Sequence, residues 1–109
     1  MNYTVKIALE EKGDVFFCSH VMELIKYIDL EKSVKEAAKS MNITTAKAWK
    51  MIRGIEKALG EKAVVKTRTA GVDGYNVHIS PACRAILEKY ADFKEKSEAA
   101  VKDLFNQIF

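Results

Sequence analysis

Residues 33–60 read SVKEAAKSMNITTAKAWKMIRGIEKALG, a run in which caps, apolar periodicity and a turn can be assigned residue by residue. Ser33 with Glu36 has the spacing of a capping box, in which side chains satisfy the free N–H groups of a helix start. Val34, Ala37, Ala38 and Met41 follow at i, i+3, i+4 and i+7, which places them on one apolar face of a short helix. Met41-Asn42-Ile43 reads as a turn, with Asn42 able to take a left-handed backbone. Thr44 caps a second helix, Ala48, Ile52, Ile55 and Leu59 form its inner stripe, and Gly60 stops it. The two alanines of the first helix allow the second to pack close. The layout predicted is a helix-turn-helix, whose second helix presents Lys50, Arg53 and Lys57 outward, with Glu56 the nearest acid.

Upstream, Tyr3, Val5, Ile7 and Leu9 alternate with Thr4, Lys6 and Ala8, the period of a half-buried strand. Glu10 to Asp14 is a turn and Val15-Phe16-Phe17 a returning strand, so a hairpin is expected. Ser19 is the expected cap of the next helix, whose inner stripe is Val21, Leu24, Ile25 and Ile28; Leu30 to Lys32 is then a link. Downstream, Ala63 to Lys66 reads as a strand, Thr67 to Tyr75 as a loop carrying Gly71 and Gly74, and Asn76 to Ile79 as the returning strand. A β-hairpin directly after the second helix is the wing of a winged helix. Lys66 and Arg68 are expected on one side of it, Tyr75 and His78 on the other. Ser80 and Pro81 open a last helix running to about Gln107.

In that last helix Ile86, Tyr90, Phe93, Ser97, Val101, Leu104 and Ile108 recur in steps of four and three, a coiled-coil-like stripe. A helix of this length reaches about 40 Å, whereas a domain of this size has a radius of gyration of about 13 Å. The helix is therefore expected to overhang the globule and leave Phe93, Val101, Leu104, Phe105 and Phe109 uncovered. A second copy would hide them, so the expectation is a two-fold homodimer with Tyr90, Phe93, Val101, Leu104, Phe105 and Ile108 at the interface.

Length and composition bound the classes. The 109 residues suit one compact unit, residues 1–80 forming a winged helix-turn-helix and 81–109 its dimerisation helix. At 49% hydrophobic and 30% charged the chain is globular. No run of about 18 apolar residues and no basic-then-apolar leader is present, which excludes a helical membrane span and a signal peptide from the reading. Cys18 and Cys83 show no CxxC spacing and read as reduced thiols in a cytoplasmic protein. Between Ser33 and His78 stand nine Lys/Arg and four Asp/Glu, net +5, while the remainder is net −2, so positive charge collects on the helix-turn-helix and hairpin. Such a surface attracts phosphate backbone, although a charged helix face is more often simply solvated.

The same stretch resembles the helix-turn-helix of LysR-type regulators through Ala37-Ala38, Met41, Ile43-Thr44, Ala48, Ile52, Ile55-Glu56 and Leu59-Gly60. It is more similar still to the N-terminal domain of the molybdate-responsive transcriptional regulators, the ModE family. Those domains also begin with a strand hairpin and carry a tryptophan where Trp49 stands. Their wing is glycine-rich, as at Thr69-Ala70-Gly71-Val72-Asp73-Gly74, and it leaves through a strand like Ile79-Ser80-Pro81-Ala82. The likeness covers nearly the whole chain. Family members continue into molybdate-binding domains, so no molybdate site is expected in these 109 residues. The wing has fewer glycines than is usual, and Cys83 stands where a glycine is common.

The resemblance implies a mainly α, small-β winged helix-turn-helix that binds double-stranded DNA and regulates transcription in a prokaryotic cytoplasm. Groove contact then falls to Thr44, Thr45, Ala46, Lys47, Trp49, Lys50 and Arg53, and wing contact to Lys66, Arg68 and Tyr75. Trp49 carries two readings, a stack on sugar-phosphate or a wedge between helices. No cofactor and no metal are expected: His20 and His78 are far apart without ligand spacing, and Met22, Met41 and Met51 fit core positions. The carboxylate pairs Glu31/Glu36 and Asp92/Glu95 lie on helix edges without a pocket, so no enzyme is expected. The alternative is a winged-helix protein-interaction module that does not bind DNA.

Overall fold

The computed structural model describes residues 1–68 and 75–109. Within them the order is β1 (Ala8–Glu11), β2 (Asp14–Cys18), α1 (Ser19–Glu31), α2 (Val34–Ser40), α3 (Thr45–Leu59), β3 (Val64–Arg68), β4 (Tyr75–Ile79) and α4 (Pro81–Ile108). The protein is mainly helical, with two small antiparallel hairpins and a long C-terminal helix. The glycine-bearing loop Thr69 to Gly74, with Gly71, lies outside the described residues.

The central stretch forms with the expected caps, although among the described residues only the Ser33 half of the capping box is made. Glu36 N–H donates to Ser33 Oγ at 3.1 Å and Lys47 N–H donates to Thr44 Oγ1 at 3.1 Å, each satisfying an otherwise free donor at a helix start. α2 closes through Asn42 at φ 56, with the Ile43 N–H donating to the Ala38 carbonyl at 3.0 Å. Gly60 ends α3 at φ 71. Ala37 and Ala38 are buried, as are Ala48, Ile52 and Ile55 on the facing side of α3. The same core takes Val21, Leu24, Ile25 and Ile28 from α1, Val64 from β3, Val77 and Ile79 from β4, and Cys83, Leu87 and Tyr90 from α4.

Three details upstream of Ser33 depart from the sequence reading, and downstream the strands of the second hairpin run on through Arg68 and start at Tyr75. The first strand is shorter than 3–9. β2 ends at Cys18, opposite Ala8, because α1 begins at Ser19, so the residues before Ala8 have no strand to pair with. They remain an arm along α4: Tyr90 Oη donates to the Ile7 carbonyl at 2.7 Å, and the Tyr3 ring lies 4.7 Å from that of Phe105. Second, Ser19 does not cap α1. Cys18 is the N-cap without a side-chain bond, and Ser19 Oγ lies 3.2 Å from Tyr90 Oη. Third, α1 continues to Glu31, and Lys32 closes it at φ 59 with its N–H on the Ile28 carbonyl, 2.8 Å away. The Lys32 carbonyl then accepts the Val77 N–H at 2.9 Å and so docks β4 against the end of α1.

The overhang is present. The principal extents are 60 × 28 × 22 Å and the radius of gyration is 16.4 Å, above the roughly 13 Å of a compact chain of this length. α4 begins on the core, with Ser80 Oγ accepting the Cys83 N–H at 3.1 Å, and its far half projects beyond it. No helix among the described residues is long and apolar enough to cross a membrane.

Candidate nucleic-acid interface

α3 is held with its inner stripe on the core, so helical periodicity turns Ala46, Lys50, Arg53 and Lys57 to the outside. All four are exposed, and so are Thr44, Thr45 and Lys47 at the start of the helix. Among the described residues no carboxylate lies within 4 Å of Lys47, Lys50, Arg53 or Lys57; the ion pairs found are Asp29 with Lys32 and Arg84, Lys94–Glu98 and Lys96–Asp92. Lys50, Arg53 and Lys57 are three and four residues apart on one face, where like charges repel by about 0.2–0.5 kcal/mol per pair. The row gains nothing for the isolated helix and is suited to an external polyanion.

Glu56 is the one acid on α3; it lines a groove with Arg53, and its carboxylate is engaged on the backbone. Its Oε2 accepts the Ala63 N–H at 3.0 Å, fastening the link between α3 and β3. The Ala63 carbonyl in turn accepts the Ser80 N–H at 2.8 Å, so both hairpin strands are anchored beside α3. Between α3 and β3 lies a groove lined by Trp49, Arg53, Glu56, Lys62, Val64, Val65 and Lys66. Trp49 is half-buried, packs against the core and lines this groove.

The β3–β4 register places Lys66 opposite Val77, Arg68 opposite Tyr75 and Val65 opposite His78. Since strand side chains alternate, Lys66, Arg68 and Tyr75 share one face, and His78 is on the other. Lys66 and Arg68 thus stand on one strand of the hairpin and Tyr75 and His78 on the other, as expected, with His78 on the opposite face from the other three. Lys66, Arg68 and Tyr75 are exposed; His78 is half-buried. The structure thus gathers Trp49, Arg53 and Lys66 around one groove, sets Thr44, Thr45, Ala46, Lys47 and Lys50 along the exposed N-terminal half of α3, and carries Arg68 and Tyr75 to the outer end of the described hairpin. Lys62 joins the groove although the sequence reading passed over it. Its position two residues beyond the Gly60 stop, where the chain turns back along α3, was the available signal.

The residues assigned to the α4 stripe divide. Phe93, Leu104 and Ile108 are exposed at 54%, 53% and 71%. Val101 and Phe105 are half-buried, Phe105 between Tyr3 and the Phe109 ring 5.2 Å away. Tyr90 is a correction. At 1% exposure it belongs to the chain's own core, its ring 5.0 Å from Phe17 and its hydroxyl bonded as above, so it cannot meet a second copy. Cys83 is fully buried, and burial pushes its thiol up from 9.0 to about 11, with Asp29 and Glu56 adding to the shift and Arg84 opposing it. The thiol is protonated near neutrality. Among the described residues no three His, Cys, Asp or Glu side chains gather as a metal site requires.

No family model and no curated protein matches this chain.

Proposed function

We propose that the protein is a DNA-binding transcriptional regulator with a winged helix-turn-helix, in which α3 enters the major groove and the β3–β4 hairpin acts as the wing on the backbone or minor groove. The observation that carries this reading is the exposed row Lys47, Lys50, Arg53 and Lys57, without a carboxylate partner among the described residues, on a helix whose apolar side is fixed to the core. A row of like charges on the exposed face of a helix fixed to the core suits the phosphate backbone beside a major groove. Arg53, Lys62 and Lys66 flank a second line of approach beside Trp49. The resemblance of Ser33 to Gly60 to LysR-type and ModE-type domains supports the same assignment, and with it a prokaryotic, cytoplasmic setting.

The protein acts as a homodimer on a near-palindromic site, each copy offering one α3. Phe93, Leu104 and Ile108 on the far half of α4 are the apolar surface that a second copy covers. The residues that would form that interface are now Phe93, Val101, Leu104, Phe105 and Ile108, without Tyr90.

The test is in-vitro selection of bound duplexes followed by fluorescence anisotropy across a salt series. A selected site with two half-sites one helical turn apart is expected, with affinity falling steeply as salt rises. Arg53→Ala should lose about 1–3 kcal/mol on the selected site and less on random duplex if Arg53 reads a base. Equal losses on both would confine it to phosphate. Absence of duplex retention at low salt would end the DNA reading, and a one-chain mass by light scattering at micromolar concentration would end the dimer.

A further inference from the structure

A second groove runs along the flank of α3 opposite β3, between that helix and the β1–β2 hairpin. Its floor is apolar, formed by Val15 and Phe16 of β2 with Ala46, Met51, Gly54 and Ala58 of α3. Its rim is cationic, with Lys47 and Lys50 towards one end and Lys57 and Lys12 towards the other, and Glu11 and Asp14 beside Lys12. The β1–β2 ladder explains the floor. Leu9 pairs with Phe17 and Glu10 with Val15, so Phe16 is an extra residue in a bulge. The bulge lets two consecutive side chains line the same groove where a regular strand would present one. Val15 is left 55% exposed.

Gly54 lies in the middle of this floor. Glycine inside a helix costs about 1 kcal/mol against alanine. The backbone there is ordinary helix without a positive φ, and a Cβ would meet nothing within 4 Å. The chain's own packing therefore gives no reason for glycine at this position, whereas an outside backbone lying close against α3 does. A duplex would use the rim lysines and leave the apolar floor against hydrated phosphate. A helix with an apolar stripe between carboxylates fits floor and rim together.

We propose that this groove docks an acidic amphipathic helix of a partner protein, its apolar stripe over Val15, Phe16, Met51 and Gly54 and its carboxylates on Lys47, Lys50 and Lys57. The floor follows α3 from Ala46 to Ala58, about 18 Å at 1.5 Å per residue, which accommodates about three helical turns. Lys47 and Lys50 also belong to the face assigned to DNA, so a docked helix and a duplex exclude one another. That exclusion alone rests on the DNA reading.

The probe is a fluorescent peptide of about 14 residues with leucine at i, i+3, i+4 and i+7 and glutamate on both shoulders. It is titrated with the full chain and compared with a scrambled peptide of equal composition. Saturable binding of the patterned peptide alone is expected, weakened at least tenfold by Gly54→Leu, which fills open space and favours the helix, and by Lys50→Glu. Lys89→Glu, an exposed position on α4 away from the groove, should leave binding unchanged. No saturable binding up to about 1 mM would overturn the proposal, as would equal binding of the scrambled peptide, indifference to both groove variants, or loss in Lys89→Glu. Gly54→Leu that abolishes duplex retention but still binds the peptide would assign the groove to nucleic acid and overturn it too.

Discussion

Glu56 is the hinge between fold and surface, and two substitutions separate its roles. Its Oε2 accepts the Ala63 N–H at 3.0 Å, and Ala63 is 0% exposed. Glu56→Ala leaves that buried donor without its acceptor, a loss of about 1–3 kcal/mol. Glu56→Gln keeps an acceptor oxygen on a side chain of equal length and gives up only the charge assistance, a loss of about 1 kcal/mol. Urea unfolding followed by far-ultraviolet circular dichroism should therefore rank wild type above Gln and Gln above Ala. Hydrogen exchange should show the Ala63 amide deprotected in the alanine variant and retained in the glutamine one. A second measurement reads the charge. Glu56 shares its groove with Arg53, Lys62 and Lys66, so Glu56→Gln should strengthen retention of a duplex at low salt, and the gain should fade as salt screens it. If both variants unfold within about 0.3 kcal/mol of wild type, a difference below what loss of a buried acceptor produces, Oε2 does not hold β3 to α3 and the reasoning fails.

Tyr90→Phe removes the donor to the Ile7 carbonyl and the partner of Ser19 Oγ while keeping the ring against Phe17. It should cost about 1–2 kcal/mol and expose residues 1–9 to limited proteolysis, and unchanged cleavage there would argue against the arm. Cys83 links pH to stability. Its thiol is raised from 9.0 to about 11 by burial, so the unfolded chain gives up its proton first. Stability should fall as pH rises from about 9 through about 11, by about 1.4 kcal/mol per unit within that window. Cys83→Ala should remove this component of the slope, and parallel pH curves for the two proteins would refute it.

What the sequence made legible was local. Ser33, Thr44, Asn42 and Gly60 act on backbone groups a few residues away, and each occupies the cap or turn that its chemistry specifies. The inner stripes of α1 and α3 were readable because a helix repeats every 3.6 residues whatever lies against it. The same periodicity identified a face of α4 without identifying what covers it. Leu87 and Tyr90 meet the core, Phe105 meets Tyr3 of the arm, and Phe93 and Leu104 stay more than half exposed. The alternation in residues 3–9 likewise survives as half-burial of Val5, Ile7 and Leu9, although only Leu9 falls within a strand. Ser19 has the right residue type for a cap, but a tyrosine 71 positions later takes its hydroxyl. No local rule reports that contact.

The candidate interface shows the same division, with a consequence for how its charge is understood. Counting residues gives an excess of five positive charges between Ser33 and His78, which a solvated, self-paired surface could equally carry. The pairing separates the two cases. Asp29 is used by Arg84 and Lys32, Asp92 by Lys96 and Glu98 by Lys94, all on α1 and α4 or the link after α1. Glu56, the acid closest to the cations of α3, is bonded to a backbone amide. The carboxylates seen in ion pairs thus lie away from α3, while its bases sit three and four residues apart on one exposed face. An uncompensated row of this kind repels itself in the free protein, and that repulsion is relieved when an anion binds. Neutralising Lys50 and Arg53 together should therefore raise the stability of the free protein slightly while weakening its hold on a duplex, opposite signs that a purely solvated face would not produce.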